Sequence, residues 1–261
     1  MDTVILIPAR YASTRYPGKP LAVLTGPDGA KSLIQRSWEA AMAVPEADAV
    51  FVATDDARIA EAARGFGAEV IMTGEDCRNG TERCADALAR GGLSPELVVN
   101  LQGDAPLTPH WFLSDLIAAM RRDETLDAAT PVLRCDPETL SMFLEDRKND
   151  RVGGTTAVFD AGQNALYFSK EVIPYTGGKS FDPGAVPVFH HVGVYAYRPR
   201  ALTAYGQWAE GPLEKLEGLE QLRFLENGAK LKCVEVDAKG RLFWELNNPE
   251  DIARIEKVLN A

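Results

Sequence analysis

Behind a short apolar run, Val4–Ile7, the sequence reads Pro8-Ala9-Arg10-Tyr11-Ala12-Ser13-Thr14-Arg15-Tyr16-Pro17-Gly18-Lys19-Pro20. Arg10, Arg15 and Lys19 supply positive charge, and small residues with a glycine let the backbone wrap closely round a ligand. A triphosphate needs that combination of N–H donors and point charges on its oxygens. The spacing is neither GxxxxGK[ST] nor GxGxxG, and a solvated basic loop would have the same composition. A second cluster, Asn79-Gly80-Thr81-Glu82-Arg83, falls at a predicted helix start. Thr81 there would cap or begin the helix and turn its N–H groups to a ligand, or the helix is simply an ordinary capped one. A third, Asn100-Leu101-Gln102-Gly103-Asp104-Ala105-Pro106, puts Asp104 just past an apolar strand. Mg²⁺ favours carboxylate, water and phosphate oxygens, although an Asp beside Gly and Pro also makes an ordinary turn.

These clusters need elements to hold them. Val4–Ile7 reads as a short buried strand, Ala49–Ala53 as a second apolar run, and Glu69–Met72 and Leu97–Leu101 as a third and a fourth strand. Between and after them, Leu33–Ala43, Arg58–Phe66, Thr81–Ala89 and Pro109–Arg121 read as helices, the last with Pro near its first turn. Such alternation predicts βαβ units, right-handed crossovers and an α/β fold: a Rossmann-like, mostly parallel sheet flanked by helices. Ligands of such sheets lie beyond the carboxyl ends of the strands, so the loops after Ile7, Ala53, Met72 and Leu101 are the ones to watch. From Leu126 to Tyr197 the character changes to short β-like pieces (Ala128–Leu133, Thr155–Phe159, Ala165–Phe168) with many turn residues and fewer helical periods. We read about 126–190 as a β-rich insertion, carrying acceptor and dimer surface, within a single domain of residues 1–261. Val192–Tyr197 returns to the main sheet. Helices follow near Arg200–Trp208 and Leu213–Glu226, then a strand at Lys230–Val236 and a helix at Pro249–Leu259.

The stretch from Pro8 to Leu21 closely resembles the opening loop of the CMP-Kdo synthetases, the 3-deoxy-manno-octulosonate cytidylyltransferases. The resemblance runs from Val4 to about Ile255. It implies that Arg15 and Lys19 hold the phosphates of CTP, that Ala9, Arg10 and Ser13 line its pocket, and that Gly80, Thr81 and Arg83 of the Gly-Thr-Glu-Arg motif help recognise cytosine and ribose. Asp104 matches the family's metal-binding Asp and Gln102 an acceptor contact. Tyr167-Phe168-Ser169-Lys170, followed by Ile173-Pro174, resembles a Tyr-Phe-Ser-Arg stretch, making Lys170 an acceptor-side cation. His190–Tyr197 is similar to the family's His-x-Gly-x-Tyr strand, giving His191 and Tyr195. Pro212-Leu213-Glu214 and Leu219-Glu220-Gln221-Leu222-Arg223 resemble its Pro-Leu-Glu and Leu-Glu-Gln-Leu-Arg segments, giving Glu220 and Gln221 as acceptor contacts. Taken alone, the His and Tyr would be packing residues and the helix a solvated face.

Departures cluster on the acceptor and metal side. Ala105 replaces a Glu, and Lys170 an Arg, which keeps charge but loses the bidentate fork. Thr155-Thr156 stands where the family has a Lys-containing strand. Asn247 replaces a metal-ligating Asp; its amide oxygen can bind Mg²⁺ without adding charge. Glu245, two residues back on the same strand face, would supply the missing carboxylate. The expected reaction is Mg²⁺-dependent attack of an acid's hydroxyl on the α-phosphorus of CTP, releasing pyrophosphate. Kdo is the leading acceptor; amino-Kdo, a nonulosonate or a phosphonate is the alternative. A nucleotide-binding regulator without catalysis is the rival of another class, motivated by Ala105 and Asn247.

The bulk numbers bound the partners. A formal net charge of −10 over 261 residues argues against a nucleic-acid surface. Cys77, Cys84, Cys135 and Cys233 form no CxxC pair, so free thiols in a reducing compartment are expected. Neither a signal peptide nor a membrane-spanning run is legible. The expectation is a cytoplasmic enzyme, and the family resemblance adds a homodimer.

Overall fold

Val4, Ile5, Leu6 and Ile7 are each wholly buried, so the strand they form must be covered on both faces. The computed structural model describes residues 1–12, 16–103, 106–240, 246, 249 and 251–260, the side chain of Arg254 apart. In chain order it has β1 (Thr3–Ala9), a 3₁₀ turn (Lys19–Leu21), β2 (Val23–Gly26), β3 (Gly29–Ser32), α1 (Leu33–Met42), β4 (Ala49–Thr54), α2 (Ala57–Gly65), β5 (Glu69–Met72), α3 (Gly80–Gly91), β6 (Leu97–Leu101) and α4 (His110–Arg122). The rest comprises β7 (Ala128–Arg134), α5 (Pro137–Lys148), β8 (Thr156–Phe159), β9 (Ala165–Ser169), β10 (Phe189–His191), β11 (Val194–Tyr197), α6 (Pro199–Gln207), α7 (Pro212–Glu217), α8 (Leu222–Glu226), β12 (Leu231–Glu235) and α9 (Asp251–Leu259).

The fold is α/β, as expected. Strands β5, β4, β1 and β6 lie side by side and parallel. The chain winds outward from β1 to β4 and β5, then returns to place β6 on the other side of β1. That reversal makes the carboxyl ends of β1 and β6 the switch point where ligands of such sheets bind. Alternate side chains of β1 feed two cores. Ile5 and Ile7 pack with α1, α2 and α4 residues such as Ile34, Ile59 and Phe112. Val4 and Leu6 pack with Cys84 of α3, Leu202 of α6 and Phe224 of α8.

The second half of the sheet is antiparallel and contains one consequential break. β10 and β11 run in succession along β7 and are interrupted at Val192-Gly193. The outer side of β11 pairs with β6, and the outer side of β10 with β8. β9 follows β8, and β12 pairs parallel to β7 on its remaining side. The chain leaving β6 and the chain entering β8 therefore meet at the break.

Three elements differ from the sequence-based expectation. The hairpin β2–β3 was not anticipated; Gly26–Gly29 closes it, and Leu24 packs with Leu33, Leu246 and Ile255 in a small separate core. The 126–190 segment adds β7 to β10 to the one sheet and also holds α5, although few helical periods were read there. Only Leu140 and Phe143 of α5 are buried, too few for a visible stripe. Its start is capped by Asp136, which accepts from the Thr139 amide at 2.7 Å, and Pro137 follows. The single helix expected over Leu213–Glu226 is two, α7 and α8, parted at Gly218 with φ 61°.

Candidate functional site

A cleft of about 1240 Å³ opens at the switch point and the sheet break. The segments after β1 and β6 and the start of α3 contribute Pro8, Ala9, Arg10, Lys19, Gly80 and Gln102 to its lining, and the segments from β9 to α8 contribute Lys170, His191, Gly193, Tyr195, Glu220 and Gln221. Eleven of the residues named from the sequence (Ala9, Arg10, Lys19, Gly80, Arg83, Gln102, Lys170, His191, Tyr195, Glu220 and Gln221) thus face one space. Ser13, Arg15, Asp104, Ala105, Glu245 and Asn247 lie outside the described residues.

The first loop is closed on itself. The Gly18 amide donates to the Tyr11 carbonyl at 2.9 Å, with Gly18 at φ 70°. A Cβ there would stand 3.0 Å from the Tyr11 ring, so both conformation and space require glycine. On Tyr11 lies the Arg58 guanidinium, 3.3 Å from the ring centroid. Arg58 is held in turn by both oxygens of Asp56, the cap of α2, at 3.0 and 2.6 Å. Lys19 therefore starts from a backbone fixed by a stack, and Arg10 reaches across to the Arg78 carbonyl at 3.4 Å.

The start of α3 departs from the expected arrangement. Its cap is Asn79, whose side chain accepts from the Glu82 amide at 2.8 Å. Thr81 is wholly buried, and its hydroxyl is 2.8 Å from the Tyr197 hydroxyl. Its amide does not await a ligand, for it donates to Glu220 Oε2 at 3.0 Å. A protein carboxylate already occupies the positive end of the helix, so Gly80 presents the motif to the cleft and Thr81 does not. Arg83 reaches the cleft, but its guanidinium is committed to Thr73 Oγ1, the Gly74 carbonyl at 3.4 Å and Asp55 at 3.3 Å. Beneath Gly80 the Asn100 amide is wholly buried and neither of its polar atoms has a protein partner.

Glu220 Oε1 accepts from Gln102 Nε2 at 2.9 Å, so this carboxylate joins the start of α3 to the β6 loop. Burial pushes its pKa up, opposed by the bonds from Thr81 and Gln102. Gln221 is almost fully buried. Its Oε1 accepts from the Tyr195 hydroxyl at 3.1 Å, while Nε2 is a buried donor without a protein acceptor. Tyr195 is thereby an orienting neighbour as well as a lining residue. The backbone of Lys170 is fixed by Glu217, which accepts from its amide at 2.9 Å and from Ser169 Oγ at 2.7 Å. His191 cannot be the cation considered for the acceptor side. Its ring is buried, with Nε2 3.0 Å from Thr130 Oγ1, and burial depresses its pKa to about 3. It is neutral near pH 7 and offers hydrogen bonding only.

Sequence reasoning missed the support behind this lining. Arg223 is wholly buried, donating to both oxygens of Glu214 at 2.7 and 2.6 Å and to Glu82 at 3.0 Å. The segment read as a solvated helix face is therefore an interior ion-pair network pinning α7 and α8 to α3. Both partners stood in the Pro-Leu-Glu and Leu-Glu-Gln-Leu-Arg segments, but only their charge was legible. Arg134 and Arg151 also line the cleft, paired with Glu235 at 3.0 Å and Asp146 at 2.9 Å. The signal that could have found them is an arginine at a predicted strand end and another beside Gly153-Gly154.

For a divalent metal, no group of three or more His, Cys, Asp or Glu side chains gathers among the described residues. The sequence-derived ligands Asp104, Asn247 and Glu245 are not among those residues. Gly103, next to Asp104 in the chain, lines the cleft with Asp251 of α9. A cation that takes most of its ligands from water and phosphate suits this donor-poor, oxygen-type setting.

Comparison with known proteins is consistent with this geometry. A cytidylyltransferase family model matches residues 4–232. The chain is 44% identical over 261 residues to a 3-deoxy-manno-octulosonate cytidylyltransferase from Maricaulis maris, covering 100% of this chain and 98% of that one. It is 40% identical to an 8-amino-3,8-dideoxy-manno-octulosonate cytidylyltransferase from Shewanella frigidimarina, covering 98% of each. A solved CMP:2-keto-3-deoxy-manno-octonic acid synthetase complexed with CTP superposes with a TM-score of 0.83 at 32% identity, over 99% of this chain and 98% of that one.

Proposed function

The chain belongs to the cytidylyltransferase family, and from that premise we propose that it joins CMP from CTP to a hydroxyl of 3-deoxy-manno-octulosonate. The observation that carries this reading is that Arg10, Lys19 and Gly80 line the same cleft as Lys170, Tyr195 and Gln221. The acceptor oxygen attacks the α-phosphorus, the bond from that phosphorus to the bridging oxygen breaks, pyrophosphate leaves and the hydroxyl proton passes to solvent. Such a reaction depends on positioning and charge neutralisation more than on covalent help from the protein.

Lys19 and Arg10 neutralise the triphosphate, with Lys19 and Arg15 opposing the charge that builds on the leaving pyrophosphate. Ala9 and Gly80 allow close approach of the nucleotide. On the acid side Lys170 supplies the cation for the carboxylate, and the unpaired Nε2 of Gln221 supplies a donor. Neutral His191 and Gln102 fix sugar hydroxyls. Mg²⁺, held by Asp104 and Asn247 with Glu245 as the compensating carboxylate, would neutralise phosphate oxygens and lower the acceptor hydroxyl's pKa. A homodimer working in the cytoplasm completes the reading.

The test is pyrophosphate release from CTP and Mg²⁺ with Kdo, amino-Kdo, sialic acid or a small phosphonate. Release with Kdo is the expected outcome. Release with amino-Kdo alone would keep the chemistry and change the acid, and CTP binding without release for any acceptor would overturn catalysis.

A further inference from the structure

Two segments that line the cleft are tied to one hydroxyl outside it. Tyr205 of α6 is wholly buried, its ring 4.9 Å from that of Phe224 and 4.1 Å beneath the Arg223 guanidinium. Packing alone would be met by phenylalanine, yet the phenol oxygen is fully used. It accepts from Asn79 Nδ2 at 3.0 Å, and its proton is directed to the Glu220 carbonyl at 3.2 Å, with Glu214 Oε1 at 3.4 Å. Asn79 does two jobs with one amide. Its oxygen caps α3 and its nitrogen is anchored to Tyr205. The carboxylate of Glu220, whose carbonyl takes the phenol proton, holds the Thr81 amide and Gln102. The hydroxyl thus links the cap residue that precedes Gly80 to the segment that carries Glu220 and Gln221, and both line the cleft.

We infer that Tyr205 is a positioning residue for both substrates of this reaction, setting the place of the α3 start relative to the Glu220-Gln221 segment without touching either ligand. The inference rests on the cytidylyl-transfer reading above. A hydroxyl in this place sets the separation of groups that must align within a fraction of an ångström for in-line attack, so its loss is felt in both substrates at once.

Tyr205→Phe keeps the ring and removes only the oxygen. Well below the unfolding temperature, kcat/KM for CTP and for Kdo should each fall about ten-fold. Asn79→Ser keeps a capping oxygen and removes the donor to Tyr205; it should give a similar loss, and the double variant should be no worse than the weaker single, as expected for two ends of one bond. Kinetic constants within two-fold of the parent in Tyr205→Phe, with only the melting temperature lowered, would overturn the inference. So would losses in the double variant that simply multiply. If the parent protein itself releases no pyrophosphate from CTP with either Kdo or amino-Kdo, the reaction assigned above fails and the inference falls with it. An active parent with an unaffected Tyr205→Phe sinks the inference alone.

Discussion

Lys19 owes its place to residues that do no chemistry themselves. Gly18 adopts φ 70°, Tyr11 fills the space a Cβ would need, and Arg58 stacks on Tyr11. Lys19→Met keeps the stem and deletes the charge, so kcat/KM for CTP should fall roughly a hundred-fold in a steady-state pyrophosphate assay, the usual cost of one transition-state charge contact. A loss under three-fold would mean that Lys19 is a solvated loop residue. The two histidines of β10, His191 buried and His190 half-buried at the cleft, make a different prediction. Burial takes His190 from 6.5 down to about 4 and His191 to about 3. Between those values and 6.5 the unfolded chain binds protons that the native state refuses. Stability therefore rises with pH across that window and is lost as pH falls below 6.5, by up to about 1.4 kcal/mol per unit for each histidine. Urea midpoints at pH 7.5, 6 and 5 would measure this, and His191→Gln should flatten the slope.

At the scale of elements, α3 is joined to α7 and α8 by charges rather than by an apolar face alone. Arg223 lies between Glu214 and Glu82 with no exposure of its side chain. Arg223→Met would leave Glu214 buried and uncompensated, and should cost about 3–5 kcal/mol in urea unfolding. A loss below 1 kcal/mol would show that the network adds specificity of arrangement rather than stability. Much of this level was legible beforehand. Glu69–Met72 and Leu97–Leu101 match the expected strands residue for residue, because short, mostly apolar runs of this length between turn residues and helical patterns leave little choice. α5 was not legible, since one short buried edge gives no periodicity, and neither was the division of α7 from α8, since Gly218 could equally have been a tolerated helix glycine.

At the scale of the molecule, the cleft exists because the sheet changes partners at Val192-Gly193. β6 covers one half of the interrupted strand and β8 the other. Arg10 and Lys19 follow β1 on the parallel half, and His191 and Tyr195 on their strands and Lys170 just after β9 belong to the antiparallel half. If Mg²⁺ is shared between this protein and the triphosphate, EDTA should abolish pyrophosphate release and leave the melting temperature of the ligand-free protein unchanged, because Mg²⁺ takes most of its ligands from water and phosphate. A large drop in melting temperature on chelation would point instead to a structural metal. Among the described residues no helix is long and apolar enough to cross a membrane.

The sequence by itself determined the α/β class and the four parallel strands, and it marked the loops after them as the ones to watch. Apolar runs, turn residues and charged clusters are local, and local chemistry is what a sequence displays. Tertiary structure alone decided that Glu220, 139 positions from Thr81, would take the amide a ligand was expected to meet. It also decided that His191 would be neutral and Arg223 interior. Each depends on what water is excluded from, and burial is set by which distant segments pack together.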